Sequence, residues 1–198
     1  SPDEREAQLM AALPKQIAHA KRRAPGFKRI LKGIVASQID SRAALAKLPV
    51  TRKSDLGELQ RALPPLGGLN ATPIEKLNKL FISPGPLYEP EGAGKDWWRT
   101  GRALYAGGFR ASDLVVNTFA YHFTPAGSML ESGVRAIGCT VVPTGTGQTE
   151  MQVSTIRDLG AVAFVGTPSF LKLIVEKAAE LTIDIACLKK AHVGAEYL

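Results

Sequence analysis

Apolar positions recur along this chain in two rhythms, and the change of rhythm divides it. Through residues 4–23, Leu9, Leu13, Ile17 and Ala20 fall at helical spacing. Pro14 interrupts the series and is a candidate first-turn residue of a second helix. Ser41 to Leu48 reads as a short helix ended before Pro49. Ser54 is placed as the N-cap of Asp55–Leu63, which Pro64-Pro65 stops. Leu66–Ala71 reads as a linker. From residue 77 the rhythm changes to short apolar runs about 25 residues apart, with helical stretches between them. Strands are expected at 80–82, 114–119, 139–142 and 162–165, with a last one beginning at Ala191. Helices are expected at 96–106, 126–137, 151–159 and 168–181, the last with Thr167 as cap and Pro168 in its first turn.

The apolar runs do not alternate with polar residues, as strands covered on both faces should not. The pattern therefore predicts an α/β fold: a mainly parallel sheet with flanking helices, preceded by a basic helical N-terminal segment. Residues 1–65 form that segment, and 66–198 form the α/β part. In such sheets ligands bind where the turns leave the carboxyl ends of the strands. Five turns are expected there: Ser83–Gly94, Ala120–Gly127, Thr144–Glu150, Gly166–Ser169 and Gly194–Glu196.

Charge sharpens the division. The net charge is +7. Residues 1–61 hold 13 Lys and Arg against 6 Asp and Glu, whereas the remainder is balanced. Lys21-Arg22-Arg23 with Lys28, Arg29 and Lys32 is the densest cluster. A solvated helical face reads this way, as does a surface facing a polyanion. No nucleic-acid motif accompanies the cluster and aromatics are not interleaved with it, so no nucleic acid is expected as a partner. No apolar run approaches the roughly 18–20 residues of a membrane helix, so no membrane is expected either. Ser1-Pro2-Asp3-Glu4 has neither a basic nor an apolar leader region. Cys139 and Cys187 lie in apolar surroundings without a motif and are expected to be reduced. A cytoplasmic setting follows as the expectation.

Two turns carry unusual chemistry. Pro143-Thr144-Gly145-Thr146-Gly147-Gln148-Thr149-Glu150 is rich in glycine and hydroxyls between a strand and a helix. Its backbone N–H groups suit an anion or a polar ligand edge, and equally an ordinary turn capped by Thr149. It lacks the ending of a Walker A loop. Tyr121-His122-Phe123 follows a strand, and could wall an acyl or aryl pocket or pack in the core. No spacing of His, Cys, Asp and Glu reads as a metal site, and the sequence singles out no catalytic residue.

The ordered set is more specific than its pieces. Leu48-Pro49-Val50-Thr51-Arg52-Lys53-Ser54-Asp55-Leu56 is followed by the 143–152 turn, then Gly166-Thr167-Pro168-Ser169-Phe170, then Gly194-Ala195-Glu196. From about residue 40 to 198 this order resembles the N-terminal half of the phenylacetate–CoA ligase family of adenylate-forming enzymes. The resemblance implies ATP-dependent activation of a small carboxylic acid, an aromatic one such as phenylacetate, and transfer of the acyl group to CoA. It implies ATP, Mg²⁺ and CoA as cofactors. By position it implies that Gly194, Ala195 and Glu196 lie against the adenosine, that Tyr121, His122 and Phe123 wall the carboxylate substrate, and that Ser83 and Gly85 belong to the phosphate-gripping loop.

The chain departs from the family in that loop. The family's Ser-Ser-Gly-Thr-Thr-Gly-x-Pro is matched by Ser83-Pro84-Gly85-Pro86-Leu87-Tyr88-Glu89-Pro90. Two hydroxyls are gone, two prolines lack N–H groups, and Glu89 and Glu91 add negative charge. Tyr197 replaces the proline that follows Gly-Ala-Glu in the family. Members are about twice this length, so the chain is expected to be a truncated portion, inactive alone. The alternative is a degenerate relative that binds a small acyl or aromatic ligand without adenylating it.

Overall fold

A computed structural model describes residues 1–197. The described residues divide into two compact units, Ser1–Gly92 and the segment from Ala93 onward. This division and the composition change near residue 65 are different boundaries. The hairpin after residue 76 belongs to the first unit, where Gln60 donates to the Tyr88 carbonyl at 2.8 Å and accepts from the Tyr88 N–H at 2.9 Å.

The first unit opens with α1, Pro2–Arg23. Ser1 caps it and Glu4 completes a capping box. The helix runs through Pro14 instead of restarting there. A proline removes one ladder donor, but Ile17 on the same helix is buried with Leu31 and Ile39 and keeps the segment docked. Lys21, near the end of α1, donates to the Ile34 carbonyl. Helix α2, Pro25–Ile30, follows. Helix α3, Arg42–Leu45, is capped by Ser41 as expected. Helix α4, Lys53–Ala62, begins before Ser54, whose hydroxyl bonds the neighbouring Asp55 instead of capping. Leu66–Ala71 is not a free linker: Leu66 is buried, and the Gly68 carbonyl accepts from the Gly26 N–H at 2.7 Å. Arg22, Arg23, Lys28, Arg29 and Lys32 are all exposed.

Strands β1, Leu77–Ser83, and β2, Leu87–Gly92, form an antiparallel hairpin with Ser83 opposite Leu87. This corrects the expectation that Ser83–Gly94 leaves a strand of the parallel sheet. The segment turns back at once and pairs with its own strand. Leu87–Gly92 gave no strand signal because Pro90 and two glutamates lower β propensity.

The second unit is the α/β body. Helix α5, Gly101–Ala106, starts later than expected, because the Asp96 carboxylate accepts from the Thr100 and Gly101 N–H groups ahead of it. Then come β3 (Leu114–Asn117), α6 (Ala126–Ala136), β4 (Thr140–Val142), α7 (Thr149–Leu159), β5 (Ala163–Gly166), α8 (Pro168–Glu180) and β6 (Lys190–Val193). The sheet order is β4-β3-β5-β6, with all neighbours parallel.

Side chains alternate across a strand, so each strand feeds two cores. Val115, Ala163 and Val165 pack with Leu104 of α5 and Leu130 and Val134 of α6. Val116 and Phe164 pack with Val153 and Ile156 of α7 and Ile174 and Ala178 of α8. The unit is therefore a sheet between two helical layers. Gly133 lets α6 approach the start of α5: a Cβ there would lie 2.1 Å from Thr100 Oγ1.

At the opposite end from the strands' carboxyl edge, Lys190 donates to Asp113 at 2.6 Å, joining the starts of β6 and β3. Burial pushes the Asp113 carboxyl up, but the bonds from Lys190 and the Arg110 N–H outweigh it and hold it below the ordinary value. A lowered carboxylate stabilises the fold above its unfolded-state pKa, and the contribution disappears as pH falls through the folded-state value. Asp113→Asn is therefore expected to cost about 1 kcal/mol at neutral pH. Chemical denaturation of both proteins should show that gap closing in acid below the carboxylate range; a gap that persists there would contradict the assignment.

Candidate functional site

The topology puts a switch point between β3 and β5, where the chain direction across the sheet reverses. From β3 the chain crosses through α6 on one face of the sheet, and from the adjacent β5 it crosses through α8 on the other. Loops leaving neighbouring strands toward opposite faces open a gap at the carboxyl edge. The expected turns 120–127, 144–150, 166–169 and 194–196 all follow strands of this parallel sheet and share that edge.

The sequence reading missed the residue at the centre of this edge. Asn117 ends β3, is fully buried, and organises two loops. Its side-chain amide donates to the Tyr121 hydroxyl at 2.7 Å and to the Gly127 carbonyl at 2.9 Å. Its Oδ1 accepts from the Phe119 N–H at 3.2 Å. Its backbone carbonyl accepts from the Gly145 N–H at 3.0 Å and the Thr144 hydroxyl at 3.1 Å. Thr118 ties β3 to β5, its N–H and hydroxyl both donating to the Val165 carbonyl. The available signal was a polar pair, Asn117-Thr118, inside the apolar run 114–119. A buried amide must find partners, and these lie at the strand's end.

Tyr121 is half-buried, and its phenol is pushed well above the ordinary value by burial and by the Glu131 carboxylate that it hydrogen-bonds. It stays protonated at physiological pH. His122 and Phe123 are exposed, Phe123 to 73%, and Phe123 has φ of 60°. Gln148 and Ala195, in two other loops of the edge, also have positive φ, 51° and 69°. Non-glycine residues held in this region cost on the order of 1–3 kcal/mol each and cluster at functional sites.

The turn at 143–150 is braced from below. Gln152 of α7 donates to the Gly145 carbonyl at 2.7 Å. Glu196 reaches the start of α8, accepting from the Ser169 N–H at 3.1 Å. Bonds from the Ser169 hydroxyl and N–H hold its carboxyl below the ordinary value, as a helix N-terminus does for an anion. Gly194 is tied to the neighbouring strand, its N–H donating to the Gly166 carbonyl at 3.2 Å. The structure thus brings Tyr121, His122, Phe123, Gly194, Ala195 and Glu196 to one sheet edge.

Ser83 and Gly85 belong to the first unit, at the turn of its hairpin. Ser83 Oγ is buried without a hydrogen-bond partner. Pro84 and Pro86 flank Gly85. Glu91 is buried and pairs with Lys79 at 3.2 Å, so its charge is compensated within the hairpin. This donor set does not fit a triphosphate: two of the turn's backbone positions have no N–H, and the serine hydroxyl is covered. Among the described residues, no three His, Cys, Asp or Glu side chains cluster so as to hold a metal ion. No described helix is long and apolar enough to cross a membrane. Cys139 and Cys187 are free thiols, Cys139 buried.

The fold has solved relatives. The chain superimposes on a 2-hydroxyisobutyryl-CoA ligase, solved in the postadenylation state with 2-HIB-AMP, with a TM-score of 0.81 at 25% identity. The match covers 91% of this chain and 40% of that one. The architecture is that of the N-terminal domain of adenylate-forming acid–CoA ligases.

Curated relatives narrow the class. A phenylacetate-coenzyme A ligase of Aromatoleum evansii is 32% identical over 207 aligned positions, covering 99% of this chain and 46% of the relative. A phenylacetate-coenzyme A ligase of Thermus thermophilus is 29% identical, covering 93% and 43%. No family model matches the chain. The chain belongs to the phenylacetate–CoA ligase family, corresponding to the N-terminal portion of its longer members. It spans less than half the length of these relatives.

Proposed function

We propose that this chain supplies the acid-binding and adenosine-facing portion of an AMP-forming acid–CoA ligase, one that activates a carboxylic acid, preferentially aromatic, for transfer to CoA. The observation that carries the reading is Phe123. A large aromatic ring, 73% exposed, is held at positive φ on the carboxyl edge of a parallel sheet, next to His122 and the anchored Tyr121. Exposure there is costly in water and is relieved by an apolar ligand. In this reading Tyr121, His122 and Phe123 wall the acid, and Gly194, Ala195 and Glu196 face the adenosine.

The hairpin turn favours a second reading, in which the chain binds a small acyl or aryl ligand without adenylating it. Pro84 and Pro86 leave few donors for phosphate, and no step through ATP, Mg²⁺ or CoA is assigned to this chain. The two readings separate on nucleotide. The chain is expected to release no pyrophosphate from ATP with phenylacetate and CoA. Calorimetric titration is expected to show similar, weak binding of AMP and Mg²⁺–ATP. Binding of neither nucleotide would favour the binding module, and submicromolar ATP binding lost with AMP would show phosphate recognition and contradict the reading of the hairpin turn.

A further inference from the structure

We propose that Asn117 is the positioning residue of the acid site: its amide takes the Tyr121 hydroxyl out of ligand recognition, so that the wall presents only a ring and selects an apolar acyl or aryl group. The inference rests on the reading of Tyr121 as a wall of that site. A phenol has one O–H to donate and lone pairs to accept with. Asn117 Nδ2 occupies the acceptor side at 2.7 Å. The proton side faces Glu131 on α6, which also lies 3.7 Å from Arg135. With both sides engaged, the hydroxyl has little left for a ligand, and what remains of Tyr121 is its aromatic face.

The amide cannot turn to other work without loss. Its second N–H holds the Gly127 carbonyl at 2.9 Å, near the start of α6, and its oxygen holds the Phe119 N–H. The residue is fully buried, so each lost bond strands a group away from water. The loop from Phe119 to Gly127 thus has its beginning, its middle and its end fastened to one side chain. Its neighbour, the Gly145 turn, is fastened to the backbone carbonyl of the same residue.

Two variants separate the roles. Asn117→Asp keeps the size and an acceptor for Phe119 but removes both donors. Tyr121→Phe keeps the ring and removes the hydroxyl. By calorimetry with phenylacetate, Asn117→Asp should bind about tenfold or more weakly than the parent chain, and Tyr121→Phe should lose clearly less than that. By amide hydrogen exchange, Asn117→Asp should raise exchange about tenfold or more at Thr124 and Gly127, while Gly145 stays protected through the backbone bond. A tenfold loss in Tyr121→Phe would place the hydroxyl on the ligand and overturn the proposal. So would unchanged exchange across 119–127 in Asn117→Asp. If the parent chain binds no aryl acid, the acid-site reading fails, and with it the selection proposed here. The exchange data then report on the loop anchoring alone.

Discussion

Phe164→Ala is expected to destabilise the α/β unit by about 3–5 kcal/mol, the cost of removing a large core aromatic. Phe164 sits on β5, a strand paired on both sides, and is fully buried. Its ring packs with Val116, Val153, Ile156, Ile174 and Ala178, which come from three different elements besides its own. Those elements are backbone-held by the sheet or by helices, so they collapse only partly into the space left. For a domain of this size, each kcal/mol lowers the melting temperature by roughly 4–8 °C, so a fall of at least about 12 °C is expected. Thermal denaturation followed by circular dichroism reads this directly. A fall of a few degrees would mean that the two helical layers close over the gap, and that the core is less tightly specified than described.

Gly166→Ala should cost about 3 kcal/mol, near the top of the range for overpacking. Gly166 lies two residues beyond Phe164 and therefore on the same face of β5. A Cβ there would meet Thr118 Oγ1 at 2.2 Å and the Phe164 ring at 2.5 Å. Thr118 cannot move away without giving up its bond to the Val165 carbonyl. The damage falls on the carboxyl edge itself, because the Gly166 carbonyl also anchors Gly194. The two substitutions are coupled: without the Phe164 ring, one of the clashes disappears. The double variant should lose less than the sum of the singles, by at least about 0.5 kcal/mol. Equilibrium denaturation of the four proteins measures that interaction, and strict additivity would place the strain entirely at Thr118.

Much of the second unit was legible in the sequence. Runs such as Val115-Val116 and Ala163-Phe164-Val165 are apolar without alternation, and only a strand covered on both faces requires that. Thr167-Pro168 marked the start of α8, because a cap hydroxyl and a first-turn proline act locally. The ordered turns identified the family for the same reason: each is a short segment whose chemistry travels with its sequence.

What escaped the sequence depended on groups distant along the chain. Pro14 looks like a break, but packing of Ile17 decides that α1 continues. Leu87–Gly92 has poor strand propensity, and pairing with Leu77–Ser83 makes it a strand regardless. Glu91 reads as an added negative charge, yet Lys79 lies opposite it across the hairpin and neutralises it. Local propensities are worth tenths of a kcal/mol to about 1 kcal/mol per residue, and tertiary contacts exceed them. By itself the sequence determined the rhythm of strands and helices and the residues at each turn. Only the tertiary structure decided which strands are neighbours, that β3 and β5 send their loops to opposite faces, and that Asn117 holds two of the loops at their carboxyl edge. Strand order and buried hydrogen bonds join residues far apart in the chain, and no local pattern encodes them.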